Sequence, residues 1–222
     1  MHRIKNWNKE DASCTIAADL LPAAAYLQRA ELFIHQWWAI ALLRISRIER
    51  RGAEARLYFH EPESRIQNEH PWPAPWLSAE TGNSAFYLTN ALPFLDEPGE
   101  WFADQVAGKI YYWPRPGENL LTDTVIAPAA ETLIDVAGTA DHPVRHLYFR
   151  GITFQHTGWT RPALYGHVPH QAGMYMLEAY KLRPAGTAEK KTLDNQAWIG
   201  RPAAAIQLSW ADHTAFEDCR FE

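Results

Sequence analysis

The chain is 222 residues long, 47% hydrophobic, and carries a formal net charge of −5 with acidic and basic residues interspersed. That is enough apolar material for one domain, or one with a sizeable insertion, and the charge excludes a nucleic-acid backbone as the main partner. Ten Trp, nine Tyr and nine Phe are the unusual feature; such rings suit a β-rich core and, because Trp and Tyr carry a polar handle, sugar stacking as well.

Cys14 and Cys219 are the two cysteines, so no disulfide framework can be read. The start, Met1 to Glu10, is basic in flavour but no apolar run follows it. Leu20 to Tyr26 is short and broken by Pro22. Neither a secretory nor a membrane segment is expected, and the chain as written reads as cytoplasmic. Residues 17–30 favour a short helix with Pro22 near its start. Leu32 to Trp38 and Ala41 to Ile48 then read as successive strands, the second alternating Leu43 and Ile45 with Arg44 and Ser46. Ala55 to Phe59 reads as a third strand. Residues 61–82 hold Pro62, Pro71, Pro73 and Pro75, and read as a loop with Trp72 and Trp76 tucked in.

Asn90 to Leu95 is expected as a helical turn, Asn90 being its N-cap and Pro93 lying in the first turn. Glu100 to Asp104 and Lys109 to Trp113 follow, joined by Gln105-Val106-Ala107-Gly108. That spacing predicts a β-hairpin over 100–113 with aromatics facing across it. Farther on, His146 to Phe154 recurs as His213 to Phe221, with His, Phe and Phe at the first, fourth and ninth places. Each copy follows an apolar alternation, Leu133 to Val136 and Ala205 to Leu208. Two strands around a short corner, repeated, predict parallel stacking with Phe149 over Phe216 and Phe154 over Phe221. The corner pairs Arg150-Gly151 and Glu217-Asp218 would face solvent. Residues 155–203, rich in Pro and Gly, are expected as a long loop.

These motifs carry a resemblance. Leu95 to Trp101, Gly108 to Pro114, Glu131 to Ile134 and Pro143 to Trp159 resemble bacterial right-handed β-helix proteins grouped with glycoside hydrolases, near family 141. The similarity runs over about residues 31–222. It implies an all-β protein with a few short helices: the start of a right-handed parallel β-helix with an antiparallel β-rich insertion. The implied division is an N-terminal segment and early coil at 1–48, the insertion at 49–125, and the first coils at 126–222. It also implies secretion and activity on polysaccharide, with catalytic coils beyond Glu222. An uncapped last coil would favour self-association.

Glycoside hydrolysis needs two carboxylates flanking the bond. Asp212, Glu217 and Asp218 read instead as a solvated turn and corner, and Asp96 as a turn cap, so no catalytic pair is assigned. His156 and Trp159 open the long loop and His170 and Gln171 lie within it, which makes these four the candidate contacts for a polysaccharide or oligosaccharide. A module that binds glycan or protein through its aromatic loops, without catalysis, is the alternative. No Walker loop, dinucleotide fingerprint or nucleophile elbow occurs, and no cofactor, metal, nucleic acid or membrane is expected as a partner.

Overall fold

The computed structural model describes residues 1–23, 27, 29–70, 74–179 and 199–222. The chain divides into two compact units, residues 1–119 with 161–201, and residues 120–160 with 202–222.

The first unit is organised by one sheet. Its strands are β1 (His2–Arg3), β2 (Asn6–Asn8), β3 (Ser13–Ala17), β4 (Glu31–Gln36), β5 (Ala39–Arg51), β6 (Glu54–Phe59) and β7 (Ala85–Thr89). They lie in the order β1-β7-β4-β5-β6-β3-β2, with every pair antiparallel. Tight turns make this arrangement. Gln36 pairs with Ala39 across Trp37-Trp38, and Arg51 pairs with Glu54 across Gly52-Ala53. β5 is long enough to serve two partners, its first half pairing with β4 and its second with β6. A bulge between Ile45 and Arg47 separates the halves, and such an extra residue bends a strand and increases its twist. The core lies on one face of this curl, where Ile16, Leu32, Ile34, Leu43, Leu57 and Phe86 are buried. Their period of two within each strand is the reason they share that face.

Helix α1 (Glu63–Glu69) follows β6 and buries Glu63, Ile66 and Gln67. The hairpin expected at 100–113 is present as β8 (Trp101–Asp104) and β9 (Lys109–Tyr112). Asp104 Oδ1 closes its turn by accepting from the N–H groups of Val106 (3.0 Å) and Ala107 (2.9 Å). Phe102 and Tyr111 stack across it at 6.3 Å.

In the second unit the chain runs through β10 (Ile134–Ala137), β11 (Val144–Arg145), β12 (Tyr148–Arg150) and β13 (Thr153–Phe154). The first unit then resumes with α2 (Arg161–Tyr165), and β14 (Tyr175–Met176) pairs antiparallel with β15 (Ile199–Gly200). Finally β16 (Ile206–Ser209), β17 (Ala211–Asp212), β18 (Ala215–Glu217) and β19 (Arg220–Phe221) lie parallel to β10, β11, β12 and β13 in turn. The stacking expected from the repeated nonapeptide holds. Phe149 faces Phe216 at 4.7 Å and Phe154 faces Phe221 at 5.3 Å, both stacked. The repeated histidine has a backbone reason, since His146 (φ 59°) and His213 (φ 51°) occupy the left-handed region that His tolerates better than most residues. The corners are exposed, with Arg150 Nε 3.6 Å from Asp218 and 4.0 Å from Glu217.

The expected fold class is corrected by this topology. The chain is all-β with a few short helices, but it is not a right-handed parallel β-helix. Its dominant sheet is antiparallel and curls as a half-barrel, and among the described residues parallel pairing is confined to four two-stranded sheets. The nonapeptide reports one stacking contact between two copies, whereas hairpin turns of two residues set the architecture of the larger part.

Local readings change too. Residues 18–20 form a single 3-10 turn and Leu21 is extended, so the helix expected at 17–30 is not formed there; residues 24–26 and 28 lie outside the described residues. The loop read at 61–82 contains α1, and Trp72 falls outside the described residues. Within 155–203 the described residues include α2, β14 and β15. The turn at 92–94 is a 3-10 helix capped by Ala91, and Asn90 instead sits at φ 58° with its side chain turned elsewhere. The turn at 96–97 is held by Glu100, not Asp96, since Glu100 Oε2 accepts from the backbone N–H of Asp96 (2.8 Å) and Glu97 (3.1 Å).

Candidate functional site

The sheet's register brings three polar residues into one row of the first unit. With Gln36 opposite Ala39, Glu31 falls opposite Arg44 on β5, and it also faces Thr89 on β7. Leu32 and Ile34 point into the core, so Glu31 and Phe33 point to the other face, where Phe33 stacks on Tyr87 at 4.8 Å. Asn90 Nδ2 donates to Glu31 Oε1 at 3.0 Å. Arg44 forks onto Glu63, with Nε to Oε1 at 2.7 Å and Nη2 to Oε2 at 3.0 Å, and also reaches the Glu61 carbonyl at 3.2 Å.

Glu31 and Arg44 floor a cleft of about 390 Å³, whose wall includes His60, Ala163, Leu164 and, on β8, Trp101. Trp101 is 67% exposed while Glu31 is 7% exposed. A second depression of about 400 Å³ adjoins it, lined by Tyr87, Phe94, Leu95 and Phe102 among others. Asn90 and Trp101 border both.

Electrostatics distinguish the two buried acids. Burial pushes the Glu31 carboxyl above its ordinary range, and Glu63 pushes it the same way. The Asn90 and Thr89 hydrogen bonds and the Arg44 charge oppose the shift without cancelling it. Glu63 is held in a bidentate pair by Arg44, with Nε to Oε1 at 2.7 Å and Nη2 to Oε2 at 3.0 Å. Among the described residues Glu31 is the one carboxylate lining the first cleft. A buried carboxyl in the same cleft as an exposed indole can hydrogen-bond a hydroxyl and seat an apolar ring face. It does not supply the paired acids that cleavage of a glycosidic bond requires.

The four residues expected as sugar contacts divide between the units. His156 and Trp159 belong to the second, where His156 is exposed at φ 62° and Trp159 is 41% exposed. His170 and Gln171 belong to the first, where His170 precedes a 3-10 turn over 171–173 and its N–H donates to the Met174 carbonyl at 2.8 Å. Glu31, Asn90 and Trp101 were not singled out as site residues from the sequence. A signal existed: a two-residue turn at 37–38 places an acid and a base directly across from one another, on the face opposite to Leu32 and Leu43.

Comparison with known proteins decides the family. Residues 1–115 match the family model described as the GH141 insertion domain. The chain belongs to that family. A solved structure named "Glycoside hydrolase" is 46% identical and superposes with a TM-score of 0.89 over 99% of this chain. The chain spans 38% of the length of that structure. No curated protein matches. The GH141 insertion domain match thus covers the seven-stranded sheet, the hairpin that carries Trp101 and the Glu31 cleft apart from its Ala163 and Leu164 wall.

Proposed function

We propose that this chain is a polysaccharide-contacting portion of a glycoside hydrolase, which binds sugar in the Glu31 cleft while the hydrolytic carboxylates lie outside its 222 residues. One observation carries the reading: a buried Glu31 carboxyl, fixed by Asn90, lines the same cleft as the exposed ring of Trp101. Trp101 offers a flat apolar face and Glu31 a hydroxyl partner, a combination suited to pyranose rings. The adjoining depression gives a second sugar unit somewhere to lie on the far side of Trp101. That no second carboxylate lines this cleft among the described residues favours binding over turnover here.

His156 and Trp159 are proposed as a further contact on the second unit. In support, Trp159 sits between two anchors: the Gly158 N–H donates to the Ala130 carbonyl at 3.0 Å, and Glu131 Oε1 accepts from the Thr160 N–H at 2.6 Å and hydroxyl at 2.7 Å. His170 and Gln171, on the exposed turn of the first unit, are proposed as peripheral contacts.

The test uses the purified chain against a panel of soluble plant polysaccharides, in affinity electrophoresis with a parallel reducing-sugar assay. Retardation without sugar release is expected, and Trp101→Ala should weaken it about tenfold, as truncation of an aromatic anchor does. Wild-type retardation by both Trp101→Ala and Glu31→Gln would remove the cleft from the reading. Sugar release that Glu31→Gln abolishes would place catalysis here and overturn it.

A further inference from the structure

The two tight turns of the sheet obey different rules. Between Arg51 and Glu54 the turn uses Gly52 at φ 61°, the left-handed conformation that favoured two-residue hairpin loops require. Between Gln36 and Ala39 the loop is Trp37-Trp38, and neither residue has a positive φ. Turn chemistry therefore does not explain two tryptophans at that tip. Burial does not explain them either, since Trp37 is 71% exposed and Trp38 is 59% exposed.

A third indole completes the feature. The Trp76 ring lies 5.6 Å from that of Trp37, tilted by 34°. Trp76 is firmly held: its Nε1 donates to the Gly82 carbonyl at 2.9 Å, and its backbone N–H donates to Ser84 Oγ at 3.0 Å. The loop beneath is tied down in turn by Asn83, whose Nδ2 donates to the Ile4 carbonyl at 2.8 Å while its Oδ1 accepts from the Ser78 N–H at 3.0 Å. Trp76 thus spends its polar group on the scaffold and lends its ring to a surface shared with Trp37.

We propose that Trp37 and Trp76 form a second carbohydrate-binding platform, separate from the Glu31 cleft, for a neutral β-linked polysaccharide. It rests on the reading that this chain contacts glycan. The platform stands six residues along β4 from Glu31, about 20 Å at the rise of a strand, so the two sites do not share one sugar ring. Pyranose rings with equatorial substituents present flat C–H faces, and the exposed Trp37 ring, backed by the anchored Trp76, offers an apolar face to such a sugar. Gln36 to Ala41 carries no charged side chain, and Arg3, which packs against Gly82, donates to the Asn83 carbonyl, which suits a neutral polymer. A membrane-surface site would set its aromatics among Lys and Arg. Two indoles fall far short of the roughly 800 Å² per partner that a stable protein interface buries. Holding Trp76 in place beforehand lowers the ordering cost of binding.

The test titrates the full chain with cellohexaose and laminarihexaose by calorimetry, using wild type, Trp37→Ala, Trp76→Phe and Trp101→Ala. Far-UV dichroism confirms folding for each, and Trp37, at an exposed tip, is the variant least exposed to folding loss. Trp37→Ala should weaken the hexasaccharide about tenfold while Trp101→Ala retains this binding. Binding that Trp101→Ala abolishes and Trp37→Ala leaves unchanged overturns the platform and leaves the cleft reading standing. No binding of any glycan by wild type overturns both. Loss of binding to neutral phosphatidylcholine vesicles in Trp37→Ala, without glycan binding, makes the tip a membrane contact and overturns the proposal. A wild-type dimer that Trp37→Ala converts to monomer makes it a self-interface, with the same result.

Discussion

In the first unit Leu32, Ile34, Leu43, Leu57 and Phe86 are fully buried, whereas among the described residues of the second unit only Phe154 reaches burial. Both units are built from strands with alternating apolar residues, so pattern alone does not make this difference. In the first, seven strands curl so that one face covers itself, and strands remote in sequence close over it. In the second, each strand has one parallel neighbour, and Phe149 and Phe216 cover each other while remaining half-exposed. Closure, rather than aromatic content, is what turns a strand's apolar side into a core.

The sharpest way to break this comparison is to remove one ring from each unit. Phe86→Ala should cost about 3–5 kcal/mol, and Phe216→Ala about 1 kcal/mol, because the second ring loses less burial and leaves no enclosed cavity. Urea denaturation followed by site-specific hydrogen exchange would separate the units. Equal costs would show that the second unit is better packed than its exposure suggests.

Glu63 comes next. Its side chain is 1% exposed and its charge is balanced by Arg44, 21% exposed. Glu63→Gln leaves Arg44 partly buried and uncompensated, at about 3 kcal/mol. The paired change Arg44→Met with Glu63→Leu should recover much of that loss. A double variant no better than the single one would mean that the pair contributes shape and not charge.

Acid should act with opposite sign on the two units. Glu31 has a folded-state pKa raised, chiefly by burial, above its ordinary 4.5. Its protonated form is the one the fold prefers, so its contribution is complete below 4.5 and is lost as pH rises through the raised value. Glu131 is lowered by the Thr160 N–H and hydroxyl. Its contribution is present above 4.5 and is lost as pH falls through the lowered value. Between pH 4 and 7, Glu31→Gln should flatten the decline in the first unit's stability, whereas Glu131→Gln should speed exchange at the Thr160 amide most at the upper end of that range. The same slope in wild type and Glu31→Gln would contradict the first assignment. The smallest effect belongs to Arg150, whose ion pairs with Glu217 and Asp218 are well exposed. Arg150→Ala should change the second unit's stability by no more than about 0.5 kcal/mol; a larger loss in thermal melts would mean the corner is structurally important.

Much of this was legible. The strands at 41–48 and 55–59, the hairpin at 100–113 and the stacking of Phe149 on Phe216 follow from alternation, turn residues and an internal repeat, whereas the strand read at 32–38 ends at Gln36 because Trp37-Trp38 form the turn. The global class was not legible, because a parallel stack announces itself by repeated motifs and an antiparallel sheet of unequal strands does not. β3 meets β6, and β1 meets β7, through pairings that no local signal marks. The candidate site was missed for a related reason. Glu31, Asn90 and Trp101 come from three separate segments, and Asn90 carried a plausible local role as a cap that its side chain gives up to reach Glu31.

The pairing order of the large sheet also sets a timetable. β4, β5 and β6 form a meander whose two turns are each two residues long, so their contacts close almost without loop entropy. β3 must wait for β6, and β1 for β7, although both are synthesised first. Each doubling of the closed loop adds only about 0.6 kcal/mol, so the outer strands are late rather than costly. The bulge at Ile45 to Arg47 sits at the middle of that early meander. A chain that has laid down residues 31–59 has therefore already fixed where its sheet will bend.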